Sequence, residues 1–178
     1  MNSLLDRLFA LPPRWRFLLI GMGSWGLLGA GMIIGLIDHL NPCPLCIFQR
    51  LLYIVLGMAG WAGAMAHARN SQLAAAGTGL AICLGGLSTA GYQTYMQQFP
   101  HLVAECGFTE PTLIEQLVYW LGDQWEFMFL ATGLCTSKDW TFLGLTMANW
   151  SIPAFGFFAG LCIWAALPSG RSRASSTS

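Results

Sequence analysis

Four stretches of predominantly apolar residues dominate this chain: Phe17 to Ile37, Cys46 to Ala66, Leu73 to Tyr92 and Met147 to Leu167. Each is about 20 residues long, the length that carries an α-helix across the hydrocarbon core of a bilayer. None contains an acid, and Arg50 is the one basic residue within them. Inside lipid every backbone N–H and C=O needs an internal partner, which leaves continuous helices as the solution for segments of this length. The whole composition agrees: 55% of the 178 residues are hydrophobic and 9% are charged, against about 25% charged in soluble domains. The reading is an all-α membrane protein, a four-transmembrane-helix bundle. Frequent small residues, such as Gly21, Gly23, Gly26, Gly29 and Gly31 in the first stretch, let such helices approach closely.

Formal net charge is zero, but the charges are sorted by position. Arg7, Arg14 and Arg16 precede the first stretch, Arg69 lies between the second and third, and Arg171 and Arg173 follow the fourth. By the positive-inside rule these segments face the cytoplasm, and both termini with them. The opposite, extracytoplasmic side then holds loops 38–45 and 93–146. The longer loop carries Lys138 against Glu105, Glu110, Glu115, Asp123, Glu126 and Asp139. The first stretch exceeds the apolar run of a signal peptide and no A-x-A site follows it, so it reads as a retained anchor. Residues 1–168 form one membrane domain, with 169–178 as a disordered cytoplasmic tail. No large basic surface for nucleic acid is present.

In the long loop, Thr112-x-x-Glu115 resembles a capping box, after which Leu113, Ile114, Leu117, Val118 and Leu121 fall on one helical face. This predicts a short helix, either interfacial, lying on the membrane surface, or packed on the loop's own residues.

Of the six cysteines, Cys83 and Cys162 fall inside the third and fourth stretches, where a free cysteine behaves as a small apolar residue. The other four, Cys43, Cys46, Cys106 and Cys135, lie in or beside the outer loops, where disulfides form and persist. A Cys106–Cys135 bridge is compatible with a simple loop staple. A Cys43–Cys46 bridge closes too short a loop to remove much chain entropy, yet its two sulfurs stay together in either redox state. Pro44 suits a first helical turn. That places Cys46 where free N–H groups and the helix dipole stabilise a sulfur anion. Arg50, four residues on, shares its face and has an electrostatic role there or snorkels to headgroups. Zinc is disfavoured because Cys106 and Cys135 make no second close pair. Haem is disfavoured because His39, His67 and His101 lie outside the spans.

The segment Asn41-Pro42-Cys43-Pro44-Leu45-Cys46-Ile47-Phe48-Gln49-Arg50 resembles the signature of the disulfide-bond formation protein B (DsbB) family. So does Trp140-Thr141-Phe142-Leu143-Gly144-Leu145-Thr146-Met147. The likeness covers nearly the whole chain. It implies a quinone-dependent protein-dithiol oxidoreductase of the bacterial inner membrane, with its redox loops in the periplasm. Such an enzyme reoxidises a thioredoxin-like dithiol oxidase of the DsbA type and passes electrons to a membrane quinone, ubiquinone or menaquinone. The resemblance implies redox-active disulfides Cys43–Cys46 and Cys106–Cys135. Cys106 would be attacked by the partner, Cys135 would exchange with Cys43, Cys46 would face the quinone, and Arg50 would anchor it. Some members carry a histidine near Gln93; Gln93 can hydrogen-bond a quinone but cannot titrate near neutral pH. A vitamin-K-epoxide-reductase-like protein also couples a Cys-x-x-Cys to quinone, but with its cysteines in the reverse order. A non-catalytic scaffold with stapled loops is the reading from outside the enzymes.

Overall fold

The computed structural model describes residues 11–100, 112–138 and 140–168. Four helices are long and apolar enough to cross a membrane: α1 (Pro13–Ile37), α2 (Pro44–Met65), α3 (Arg69–Gln98) and, after the loop, α6 (Met147–Ala166). Between α3 and α6 lie two short helices, α4 (Leu113–Gln124) and α5 (Glu126–Phe129), and a hairpin of β1 (Thr141–Phe142) and β2 (Leu145–Thr146). Many large apolar side chains, among them Met22, Ile33, Ile37, Leu84 and Phe157, face outward, as a bundle solvated by lipid requires.

Small residues set the helix spacing. At Gly60 of α2 an added Cβ would stand 2.5 Å from the backbone N of Gly21 in α1, so the two backbones are in direct contact there. At Gly86 of α3 it would meet the ring of Phe155 from α6 at 2.5 Å. The core this creates holds Phe17, Ile20, Leu56, Cys83, Phe155 and Cys162. Cys83 and Cys162 lie against one another there, buried, as apolar packing. Replacing Gly60 by leucine should destabilise the bundle by about 1–3 kcal/mol, because no flexible side chain is available to yield. Gly26, with open space around it, is the control: Gly26→Leu should leave the unfolding midpoint in detergent unchanged.

The ends of the helices carry the polar logic. Pro13 opens α1 at a position that needs no N–H. Arg16 is fully buried rather than displayed on the surface. It donates to the Trp164 and Leu167 carbonyls (3.0 and 3.2 Å) and lies over the Trp164 ring, satisfying the orphan carbonyls at the C-terminus of α6. Arg69 donates to the Ala166 carbonyl at the same helix end. At the other end of α1, His39 takes a left-handed conformation (φ 49°) and Leu40 N–H returns to the Gly35 carbonyl. This C-cap turns the chain into Asn41-Pro42.

The third helix continues through Gln98, past the Tyr92 end of the apolar run. Three polar residues of its added length have partners: Gln93 with Gln49, Thr94 with Asn149, and Gln97 with Thr146 and Ser137. The capping box at Thr112 and Glu115 is formed. Val118 and Leu121 of α4 pack with Ile47 of α2 and Phe129 of α5, a spanning helix rather than loop residues alone. Leu113, Leu117 and Trp120 stay exposed. The β-hairpin turns through Leu143 and Gly144, both at positive φ (54° and 77°), a two-residue turn whose twist matches its strands. Thr146 then caps α6 by accepting from Asn149 N–H.

Candidate functional site

Cys43 is the N-cap of α2, and its sulfur accepts the backbone N–H of Cys46 at 3.3 Å. Pro44 follows as the first helical residue, so Cys46 stands in the first turn with its sulfur 2.8 Å from that of Cys43. Cys43 is buried and Cys46 is partly exposed.

The loop after α5 brings a third sulfur to this pair. Thr132 and Gly133 N–H both donate to the Pro42 carbonyl (3.0 and 3.1 Å), and the Thr132 hydroxyl donates to Asn41 Oδ1 at 3.3 Å. A Cβ on Gly133 would sit 2.0 Å from the Asn41 carbonyl oxygen, so this approach requires glycine. Further along, Gln97 Nε2 donates to the Ser137 carbonyl at 3.0 Å. Held on both sides, Cys135 is fully buried and packs with Cys43, Leu45 and Met96. Contact with Cys135 raises the Cys43 thiol well above its ordinary range, with smaller upward effects of Cys46 and burial. Cys43 therefore holds its proton at neutral pH in the dithiol state.

Gln93 of α3 faces the pair. Its Nε2 donates to Cys46 Sγ at 3.0 Å and to Cys43 Sγ at 3.2 Å, while its Oε1 accepts from Gln49 Nε2 at 2.9 Å. Both ends of this amide are engaged by protein groups. Its donors are aimed at sulfur, and its side chain also lines the cavity beside the pair. Arg50 donates to the Met128 carbonyl at 3.3 Å, and its guanidinium lies beside Gly35 of α1.

Beside Gln49 of α2 and Gln93 of α3, Cys46, Arg50 and Tyr53 line one cavity of roughly 690 Å³ between the four spanning helices and the loop. The three are spaced at helical intervals over about 10 Å of α2. The rest of the wall is mostly apolar, including Leu28, Ile34, Trp150 and Phe157. The Tyr53 ring stacks on Phe155 (centroids 4.4 Å apart). Its buried hydroxyl lies near the Ser151 side chain, whose own hydroxyl donates to the Met147 carbonyl, without a well-formed hydrogen bond among the described residues. Cys106 lies outside the described residues. Sequence reasoning missed Gln49, Tyr53 and Gln97. The available signal was polarity: a glutamine within an apolar span is costly unless something there needs it.

A family model described as disulfide bond formation protein DsbB matches residues 13–165. The chain belongs to the DsbB family. It is 50% identical over 157 residues to disulfide bond formation protein B of Dechloromonas aromatica (strain RCB), covering 88% of this chain and 92% of the relative. The protein of the same name from Nitrosomonas europaea is 36% identical over 167 residues, covering 91% and 96%. That of Azoarcus sp. (strain BH72) is 32% identical over 160 residues, covering 88% and 95%. Membership in the DsbB family carries a disulfide oxidoreductase role, and the closeness of Cys43 to Cys46 is compatible with a redox-active pair. Four spanning helices fit a multi-pass membrane protein.

Proposed function

We propose that this chain is a thiol:quinone oxidoreductase that reoxidises a DsbA-type thioredoxin-like oxidase and delivers the electrons to a quinone in the bilayer. In this reading it sits in the bacterial inner membrane with both termini cytoplasmic and loops 38–45 and 93–146 periplasmic. The observation that carries the proposal is a continuous line of sulfurs, Cys135 against Cys43 and Cys43 against Cys46, ending at the wall of a large apolar cavity.

The residues present fit a quinone. The cavity is apolar over most of its surface, with a guanidinium near the Cys46 end and an unpartnered hydroxyl, that of Tyr53, deeper in. A buried hydroxyl without a partner is costly, and a carbonyl-bearing ligand would satisfy it. Arg50 and Tyr53 are the residues that would hold such a ligand, which when bound supplies a two-electron acceptor.

The protein's own steps are thiol exchanges. A thiolate of the partner attacks Cys106, the Cys106–Cys135 bond breaks, and Cys135 leaves as a thiolate. Cys135 attacks Cys43, forming a Cys43–Cys135 bond and releasing Cys46 as a thiolate beside the cavity. The partner's second thiolate then attacks the mixed disulfide, leaving the partner oxidised and releasing Cys106 as a thiolate. Cys106 attacks Cys135, re-forming the Cys106–Cys135 bond and releasing Cys43, so that Cys43 and Cys46 together hold the two electrons as a dithiol.

The test is to supply purified protein in lipid nanodiscs with reduced partner oxidase and quinone, following quinone absorbance. One quinone should be lost per partner disulfide formed; a quinone signal that stays constant while the partner stays reduced overturns the proposal and favours a scaffold. With reduced partner oxidase whose second cysteine is changed to serine, attack on the Cys106–Cys135 bond cannot be resolved. A partner-linked adduct should then accumulate on non-reducing gels and vanish when Cys106 is changed to serine. Absence of that species removes Cys106 from the attacked position.

A further inference from the structure

We infer that Gln49 is a positioning residue for the Cys43–Cys46 pair: acting through Gln93, it keeps an amide donor aimed at the sulfur on which charge develops. The inference rests on the reading above, in which Cys46 is the sulfur released beside the cavity.

Gln49 and Gln93 are 5% and 2% exposed and come from different helices, α2 and α3. A primary amide is nearly symmetric in shape, so its oxygen and nitrogen exchange places by a simple rotation unless the surroundings distinguish them. Gln49 Nε2 makes that distinction. By donating to Gln93 Oε1 at 2.9 Å it holds the oxygen away from the sulfurs and the NH₂ group toward them, at 3.0 and 3.2 Å. In the opposite orientation a carbonyl oxygen would face two sulfurs, and an acceptor repels a thiolate.

The exchange step shows why orientation matters. As the Cys135 sulfur bonds to Cys43, the Cys43–Cys46 bond breaks and its electron pair passes to Cys46 Sγ. Charge moves from Cys135 to Cys46 and no proton is transferred. A donor already placed where the charge arrives lowers the barrier without rearranging, and hydrogen bonds to ionised groups are the stronger kind. The other titratable or charged groups acting on Cys46 are Cys43, Cys135 and Arg50. Arg50 engages the Met128 carbonyl, and Cys43, which can donate to Cys46 in the dithiol state, is bonded to Cys135 at this step. Among the described residues the Gln93 amide is therefore the side-chain donor left facing Cys46.

The experiment uses the reduced full-length protein in nanodiscs without quinone or partner. Alkylation of Cys46 is followed against pH, with the site resolved by mass spectrometry. Gln49→Met keeps the length of the side chain but has no donor, and Gln49→Glu presents an acceptor to the Gln93 oxygen. Each should slow Cys46 alkylation at pH 7 by about tenfold and move its profile to higher pH. Gln93→Leu should do the same, and Gln49→Met added to Gln93→Leu should change nothing more. An unchanged profile in a folded Gln49 variant overturns the inference. Additive effects in the double variant do so as well, since Gln49 would then act independently of Gln93; if the Met variant fails to fold, the Glu variant decides. In turnover assays kcat should fall along with the alkylation rate. A wild-type protein that reduces no quinone would overturn the proposed function yet leave the alkylation profiles readable.

Discussion

Cys46→Ser is expected to abolish quinone reduction, lowering turnover by about a thousandfold or more, with helical content and unfolding midpoint unchanged. Serine is nearly isosteric, so the first turn of α2 and the N-cap bond from residue 46 N–H to Cys43 Sγ persist. What disappears is the more exposed of the two sulfurs lining the cavity. Cys43 cannot substitute for it: it is almost wholly buried, and its neighbours hold its thiol in the protonated form at neutral pH. A protonated thiol is a poor nucleophile. The sign gives a further expectation. Because the Cys43 thiol is raised, alkylation at Cys43 in Cys46→Ser, resolved by mass spectrometry, should grow only at alkaline pH. The check is the rate of quinone absorbance loss with reduced partner in excess. Turnover comparable to the parent would mean electrons leave through another atom.

The bundle was legible because apolar runs of spanning length admit few structures, and four such helices are present. Their ends were less legible, for a physical reason. Hydropathy stops at the first polar residue, whereas a helix continues as long as its polar side chains find partners. Gln93, Thr94 and Gln97 find them on α2, α6 and the loop, so α3 runs on to Gln98. Arg16 has a role its charge alone did not announce: at the end of the bundle where the sequence placed it, it is buried on the carbonyls that end α6. The adjacency of Cys43 and Cys46 could be read from their spacing around a helix start. The contact between Cys135 and Cys43 could not, because it depends on where a long loop returns. Nor could Gln49, whose role exists only once α3 brings Gln93 beside it.

That return hinges on one residue, and Gly133→Ala should slow transfer between Cys135 and Cys43 by about a hundredfold, as displacements near 1 Å do at reacting centres. The added Cβ would stand 2.0 Å from the Asn41 carbonyl oxygen and 2.8 Å from its carbon. Those are backbone atoms of the segment leading into Cys43, so neither side can yield by turning a rotamer. The loop must lift, and the hydrogen bonds from Thr132 and Gly133 N–H to the Pro42 carbonyl are lost with it. Cys135, held beyond that point by the Gln97 bond to Ser137, then no longer closes on Cys43. The bundle itself is untouched, so the unfolding midpoint and KM for quinone should stay near those of the parent while kcat falls. The direct measurement is oxidative cross-linking of Cys43 to Cys135 in protein carrying Cys46→Ser and Cys106→Ser. The bridge should form readily with Gly133 and poorly with alanine there. Equal yields would show that the loop reaches Cys43 without this close approach, and the line of sulfurs would then owe nothing to the glycine.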